Sequence, residues 1–99
     1  MKALTFQGVG DIRYEEVPEP GLVHERDAIV RVELAGLCGS DLHVYHGREI
    51  GIDRGTVMGH EFVGRVLEVG AAVRGLAAGD RVACPFTINC GACYYCSLG

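Results

Sequence analysis

The stretch Leu37-Cys38-Gly39-Ser40-Asp41-Leu42-His43 sets a thiol, a hydroxyl, a carboxylate and an imidazole within seven residues. Few purely structural segments need all four. A cysteine followed two positions later by a serine and five later by a histidine can hold a metal ion, relay a proton from an oxygen on that ion and pass it to solvent. A further histidine lies downstream at Gly59-His60-Glu61. Cys38 and His60 read as two ligands of one zinc ion, brought together by folding. Asp41 and Glu61 are carboxylates placed to orient a ligating imidazole or to sit near the metal. Such an ion lowers the pKa of water to about 7, and Ser40 and His43 then carry the proton out. Each residue also has a plainer reading, Cys38 as a small buried hydrophobe and His60 as a satisfied core histidine. Taken with Glu61, Ser40 and His43, the chemical reading is the better one.

Cys90-Gly91-Ala92-Cys93-Tyr94-Tyr95-Cys96 spaces thiolates every three residues, so one loop can wrap three of them around a tetrahedral ion. These cysteines are too close together to pair comfortably among themselves, and their spacing reads as metal before disulfide. Cys84 is the spare thiol; it completes this site or, the preferred reading, is a buried strand residue. A similar run opens bacterial iron–sulfur ferredoxins, where a fourth cysteine and a proline follow. A small iron–sulfur electron carrier is therefore a competing reading.

The elements that must position these groups are short. Lys2 to Gln7 and Ile12 to Val17 form a hairpin around Gly8-Val9-Gly10-Asp11, with no third glycine to make a dinucleotide fingerprint. Pro18-Glu19-Pro20-Gly21 breaks the chain, and Leu22 to Asp27 is a surface loop in which His24 is solvated. Ala28, Val30, Val32 and Leu34 alternate with Ile29, Arg31 and Glu33 in the clearest strand, which delivers Cys38 at its end. Ser40 is expected to cap a helical turn over 41–46 that Gly47 stops, with Ser40 and His43 on one face. Arg48 to Thr56 is expected as an exposed loop beside the site. Phe62 to Val69 is the next strand, with Gly64 where the backbone bends or is approached closely. Arg81 to Cys84 is another.

Fifteen glycines against three prolines favour turns and short strands, and hence a mainly β small barrel with one or two short helical turns. Ninety-nine residues, 48% of them hydrophobic, suffice for one modest core in a single domain. A net charge of −4 without a basic run makes nucleic acid and anionic membranes poor partners. No apolar stretch approaches the roughly 20 residues of a membrane span, and the first residues lack the apolar centre of a signal peptide, which favours the cytoplasm.

Gly59-His60-Glu61-Phe62-Val63-Gly64, continued by Gly70 and Val73, resembles the zinc signature of the zinc-containing medium-chain alcohol dehydrogenases. Cys38 to His43 resembles that family's ligand-plus-relay segment, and Cys90, Cys93 and Cys96 match three of its four structural-zinc cysteines. The resemblance spans the whole chain as a GroES-like catalytic-zinc domain, incomplete and without the Rossmann cofactor domain. It implies that Cys38 and His60 bind catalytic zinc with Glu61 beside it, and that Asp41 supports His60. Ser40 takes the alcohol proton, His43 releases it by way of the cofactor ribose, and Phe86 lines the substrate pocket. The reaction implied is oxidation of an alcohol to an aldehyde or ketone by zinc–alkoxide stabilisation and hydride transfer to NAD or NADP, in a homo-oligomer at full length. The third catalytic-zinc ligand, the fourth structural cysteine and the nucleotide domain are not among these residues, so the fragment alone is expected to be inactive. Gly39 stands where some members carry a basic residue against the cofactor pyrophosphate. The alternative to an enzyme is a free-standing structural zinc module.

Overall fold

The computed structural model describes residues 1–99. Strands β1 (Lys2–Gly8) and β2 (Asp11–Glu16) pair antiparallel, from Lys2 opposite Glu16 to Gly8 opposite Asp11. Val9 and Gly10 make the reversal, and Gly10 takes the positive φ of 73° that such a tight turn requires. The other edge of β1 is hydrogen-bonded to the segment before His60. Phe6 N–H donates to the Thr56 carbonyl (2.9 Å), Gly55 N–H to that of Phe6 (2.7 Å) and Met58 N–H to that of Leu4 (2.8 Å). Part of the expected loop is therefore laid along a strand. A polar chain adds to this seam: Arg54 Nε donates to Gln7 Oε1 at 2.9 Å, and Gln7 Nε2 to Glu15 Oε1 at 2.6 Å.

The second sheet runs β3 (Ala28–Ala35), β4 (Phe62–Val69) and β5 (Arg81–Cys84), all antiparallel, in the order β3-β4-β5. Its β3–β4 register slips twice, between Ile29 and Val30 and between Val32 and Leu34. Gly64 lies at this irregular stretch, opposite Val32. A methyl group on Gly64 would fall on the Arg31 carbonyl oxygen and 2.6 Å from Val30 Cγ1. The close backbone approach expected at Gly64 is thus what excludes a side chain there.

Helix α1 (Gly39–Tyr45) begins earlier than the sequence pattern suggests. Its N-cap is Cys38, extended at φ −101° and ψ 157°, and Ser40 sits inside the first turn instead of capping it. Asp41, third in the helix, supplies the reason: its Oδ2 accepts the Cys38 N–H at 2.9 Å, as the acidic member of a capping box does. His46 is the C-cap, and Gly47 follows with φ 72°, so the expected stop is in place. A second, four-residue helix, α2 (Tyr94–Ser97), lies within the cysteine loop.

The core is small. Phe6, Val44 and Val66 are its buried apolar members, and the fully buried Thr5 and the buried Asp41 accompany them. The alternation in β3 makes a strand but does not bury one face of it, since Val32 and Leu34 remain 52% and 71% exposed. Cys84 ends β5 exposed, which corrects its reading as a buried strand residue. No helix of the structure is long and apolar enough to cross a membrane.

Candidate metal centre

Pairing of β3 with β4 ends at Ala35 and Phe62, and this register brings the two chemical segments together. The Gly36 N–H donates to the Glu61 carbonyl at 2.9 Å, so the chain on either side of the join turns toward the same point. Cys38 arrives two residues beyond Gly36, and His60 one residue before Glu61. One ligand atom from each of Cys38, His60 and Glu61 lies within 4.8 Å of the others, and all three side chains are half-buried.

The imidazole of His60 is held from both sides. Its Nδ1 lies 3.4 Å from Asp41 Oδ1, and its Nε2 lies 3.2 Å from Ser40 Oγ. A carboxylate at Nδ1 favours the proton on that nitrogen, which leaves the Nε2 lone pair facing the site. Asp41 is only 8% exposed and uses its other oxygen on the Cys38 N–H, so one buried carboxylate orients two candidate ligands at once.

The electrostatics couple Cys38 and His60 to each other. The Ser40 hydroxyl holds the Cys38 thiol below its ordinary range, with further help from the Ser40 N–H and then the His60 ring. His60 is raised, by its hydrogen bond to Cys38 first and by the Asp41 charge after burial has opposed it. A sulfur biased toward thiolate beside an oriented imidazole is a metal-ligand chemistry. The set of one sulfur, one nitrogen and one carboxylate oxygen fits zinc, whose open sites keep three protein ligands.

Cys90, Cys93 and Cys96 form a separate cluster. Cys96 Sγ lies 3.9 Å from Cys90 Sγ and 3.6 Å from Cys93 Sγ. Tetrahedral zinc with bonds of about 2.3 Å holds its sulfurs about 3.8 Å apart, so the two spacings from Cys96 suit such an ion, and all three sulfurs lie within 4.8 Å of one another. The Cys90 thiol is lowered to about 7, chiefly by the Ala92 N–H and then by the neighbouring thiols. Cys84 is not part of this cluster; its Sγ reaches only the Pro85 carbonyl, at 3.7 Å.

Two other expected site residues stand apart. His43 is exposed on α1, and the hydrogen bond of the Ser40 hydroxyl goes to His60 and not to it. Phe86 is 70% exposed, one residue past an open apolar groove whose lining includes Leu34, Phe62, Val63, Ala83 and Pro85, with Glu61 at its edge. Gly36, which lies in the groove against Glu61, carries no chemistry of its own and gives no sequence signal.

The model of the alcohol dehydrogenase GroES-like domain matches residues 24–99. The chain belongs to this family. Its relatives include the medium chain reductase/dehydrogenase ucsI of Acremonium sp, 49% identical over 98 residues, covering 99% of this chain and 34% of the relative. Zinc-type alcohol dehydrogenase B of Aspergillus flavus is 42% identical over 99 residues, covering 100% of this chain and 23% of the relative. Among solved structures, alcohol dehydrogenase TADH from Thermus sp. ATN1 superposes with a TM-score of 0.85 at 50% identity, over 99% of this chain and 28% of that one. The chain thus spans a quarter to a third of the length of these relatives. The mainly β architecture with few short helices is that of the GroES-like domain.

Proposed function

We propose that residues 1–99 form the catalytic-zinc part of a zinc-dependent alcohol dehydrogenase that oxidises an alcohol to an aldehyde or ketone with NAD or NADP. The observation that carries this reading is the meeting of Cys38, His60 and Glu61 within 4.8 Å, with Ser40 hydrogen-bonded to the same imidazole. Zinc bound by these residues supplies Lewis-acid polarisation of the substrate oxygen. Cys38, as thiolate, His60 through Nε2 in exchange for its hydrogen bond to Ser40, and Glu61 through its carboxylate would be the holders. Asp41 fixes the ring of His60 and the backbone of Cys38. Ser40 Oγ would receive the hydroxyl proton of the substrate, and His43, which the Ser40 hydroxyl does not itself reach, would release it by way of the cofactor ribose.

Cys90, Cys93 and Cys96 hold a second zinc in a structural role, fixing the loop that follows β5. Phe86, exposed at the start of that loop, lines the substrate pocket of the whole enzyme. The nicotinamide cofactor binds mainly outside these residues, so the 1–99 segment by itself is inactive. The partner is a small alcohol, and the enzyme works as a cytoplasmic homo-oligomer. In the full-length protein, Cys38→Ser and His60→Ala each remove one metal ion and abolish alcohol oxidation. Metal analysis beside a cofactor-reduction assay is the test, and full activity in either variant would sink the reading.

A further inference from the structure

Glycine at position 36 is not there for its backbone. Its φ lies outside the positive region that ten other glycines of this chain occupy. The space beside it is the reason. A methyl group built on Gly36 would stand 3.1 Å from Glu61 Oε2 and 3.5 Å from Glu61 Cβ, and no other residue comes as near to it. The first contact is closer than the 3.4–4 Å of ordinary van der Waals packing, so the carboxylate would have to give by a few tenths of an ångström.

It cannot give by moving the main chain apart. The Gly36 N–H is bonded to the Glu61 carbonyl at 2.9 Å, directly beyond the last β3–β4 pair, which fixes the two backbones against each other. The displacement therefore falls on the Glu61 side chain, which carries one of the three clustered ligand atoms. Metal sites hold donor distances to within about 0.2 Å, less than the shift a methyl group would force.

We propose that Gly36 is a positioning residue: the missing side chain at this point keeps the Glu61 carboxylate within ligand reach of Cys38 and His60. The inference rests on the zinc reading above. It assigns to a residue without functional groups the control of how the Glu61 carboxylate enters the site.

Cobalt(II) substituted for zinc in the full-length protein provides the test, because its visible bands report coordination directly and need no turnover. Gly36→Ala is expected to shift those bands and weaken cobalt binding on the order of tenfold, the low end of the effect of altered supporting groups. In a Glu61→Ala background the carboxylate is gone, and adding Gly36→Ala should change neither bands nor affinity. Parent-like bands and affinity in the single variant overturn the proposal. So does an undiminished effect in the Glu61→Ala background, which would locate the role in the backbone around Cys38. Should Gly36→Ala fail to fold, the double variant decides: the proposal requires it to fold as Glu61→Ala does. Cys38→Ser separates the two readings: the site at Cys90, Cys93 and Cys96 keeps its own cobalt, so a variant that still binds a second equivalent with parent bands has no metal at Cys38, and the zinc reading itself falls.

Discussion

Ser40 and Asp41 are neighbours in sequence and divide one task between them. Asp41, buried, faces Nδ1 of His60, while Ser40 faces Nε2. Removing either therefore has a different signature. Ser40→Ala should leave zinc bound and slow alcohol oxidation about 100-fold, the lower range for loss of a proton-transfer group; loss of the metal instead would make the serine structural. Asp41→Asn should weaken zinc binding about 10- to 100-fold, as for other groups that orient a ligating histidine, measured by competition with a chelator. The residue types at Cys38, His60 and Glu61 were legible because thiol, imidazole and carboxylate are distinctive donors. The partner of Ser40 was not. A three-residue spacing on a helix points it toward His43, but a fold contact with His60 from another segment takes the hydrogen bond. Gly36 was illegible for a related reason: its role is the space it leaves, and only the β3–β4 register says what fills that space.

The strands were readable from alternation and the turns from glycine, yet the two bulges between β3 and β4 leave no mark in hydrophobic pattern. They matter because the register decides which residues meet at the site. Gly64→Ala should lower stability by about 1–3 kcal/mol, the usual range for forcing atoms into a packed contact, as the Arg31 carbonyl occupies the place of the new methyl group; denaturant unfolding checks it. The start of α1 is not legible in the sequence, because Ser40 is a good cap by type, whereas the extended conformation falls at Cys38 and Asp41 reaches back to it. The loop entering β3 is held by another carboxylate. Asp27 Oδ2 accepts the His24 N–H at 2.8 Å and the Val23 N–H at 3.0 Å. These bonds, that of His24 foremost, lower its pKa. A lowered folded value gives stabilisation that is complete above the ordinary carboxyl range and is lost as pH falls through the lowered value. Asp27→Asn should accordingly flatten the acid side of the stability curve below about pH 4, followed by thermal unfolding across that range.

The molecule as a whole is open. It exposes 7529 Å² at 10.6 kDa, where a compact monomer of that mass exposes about 5,500 Å². Its radius of gyration is 15.3 Å, against about 13 Å for a compact domain of this length. Composition promised one modest core, and could not tell that much of the apolar side of β3 would stand uncovered. Prepared alone, residues 1–99 should bind a hydrophobic dye strongly and unfold with a shallow denaturant slope; a steep transition without dye binding would show that these faces are covered. The join at Ala35 and Phe62 also sets an order in time. The β1–β2 hairpin needs only neighbouring residues and can close in microseconds, whereas Cys38 and His60 meet only after a long loop has been drawn shut by β3 and β4. During synthesis the thiolate emerges well before its imidazole partner. An ion present in the refolding mixture can be gripped by Cys38, His60 and Glu61 together only once that loop is closed, so it would act as a latch on a late step.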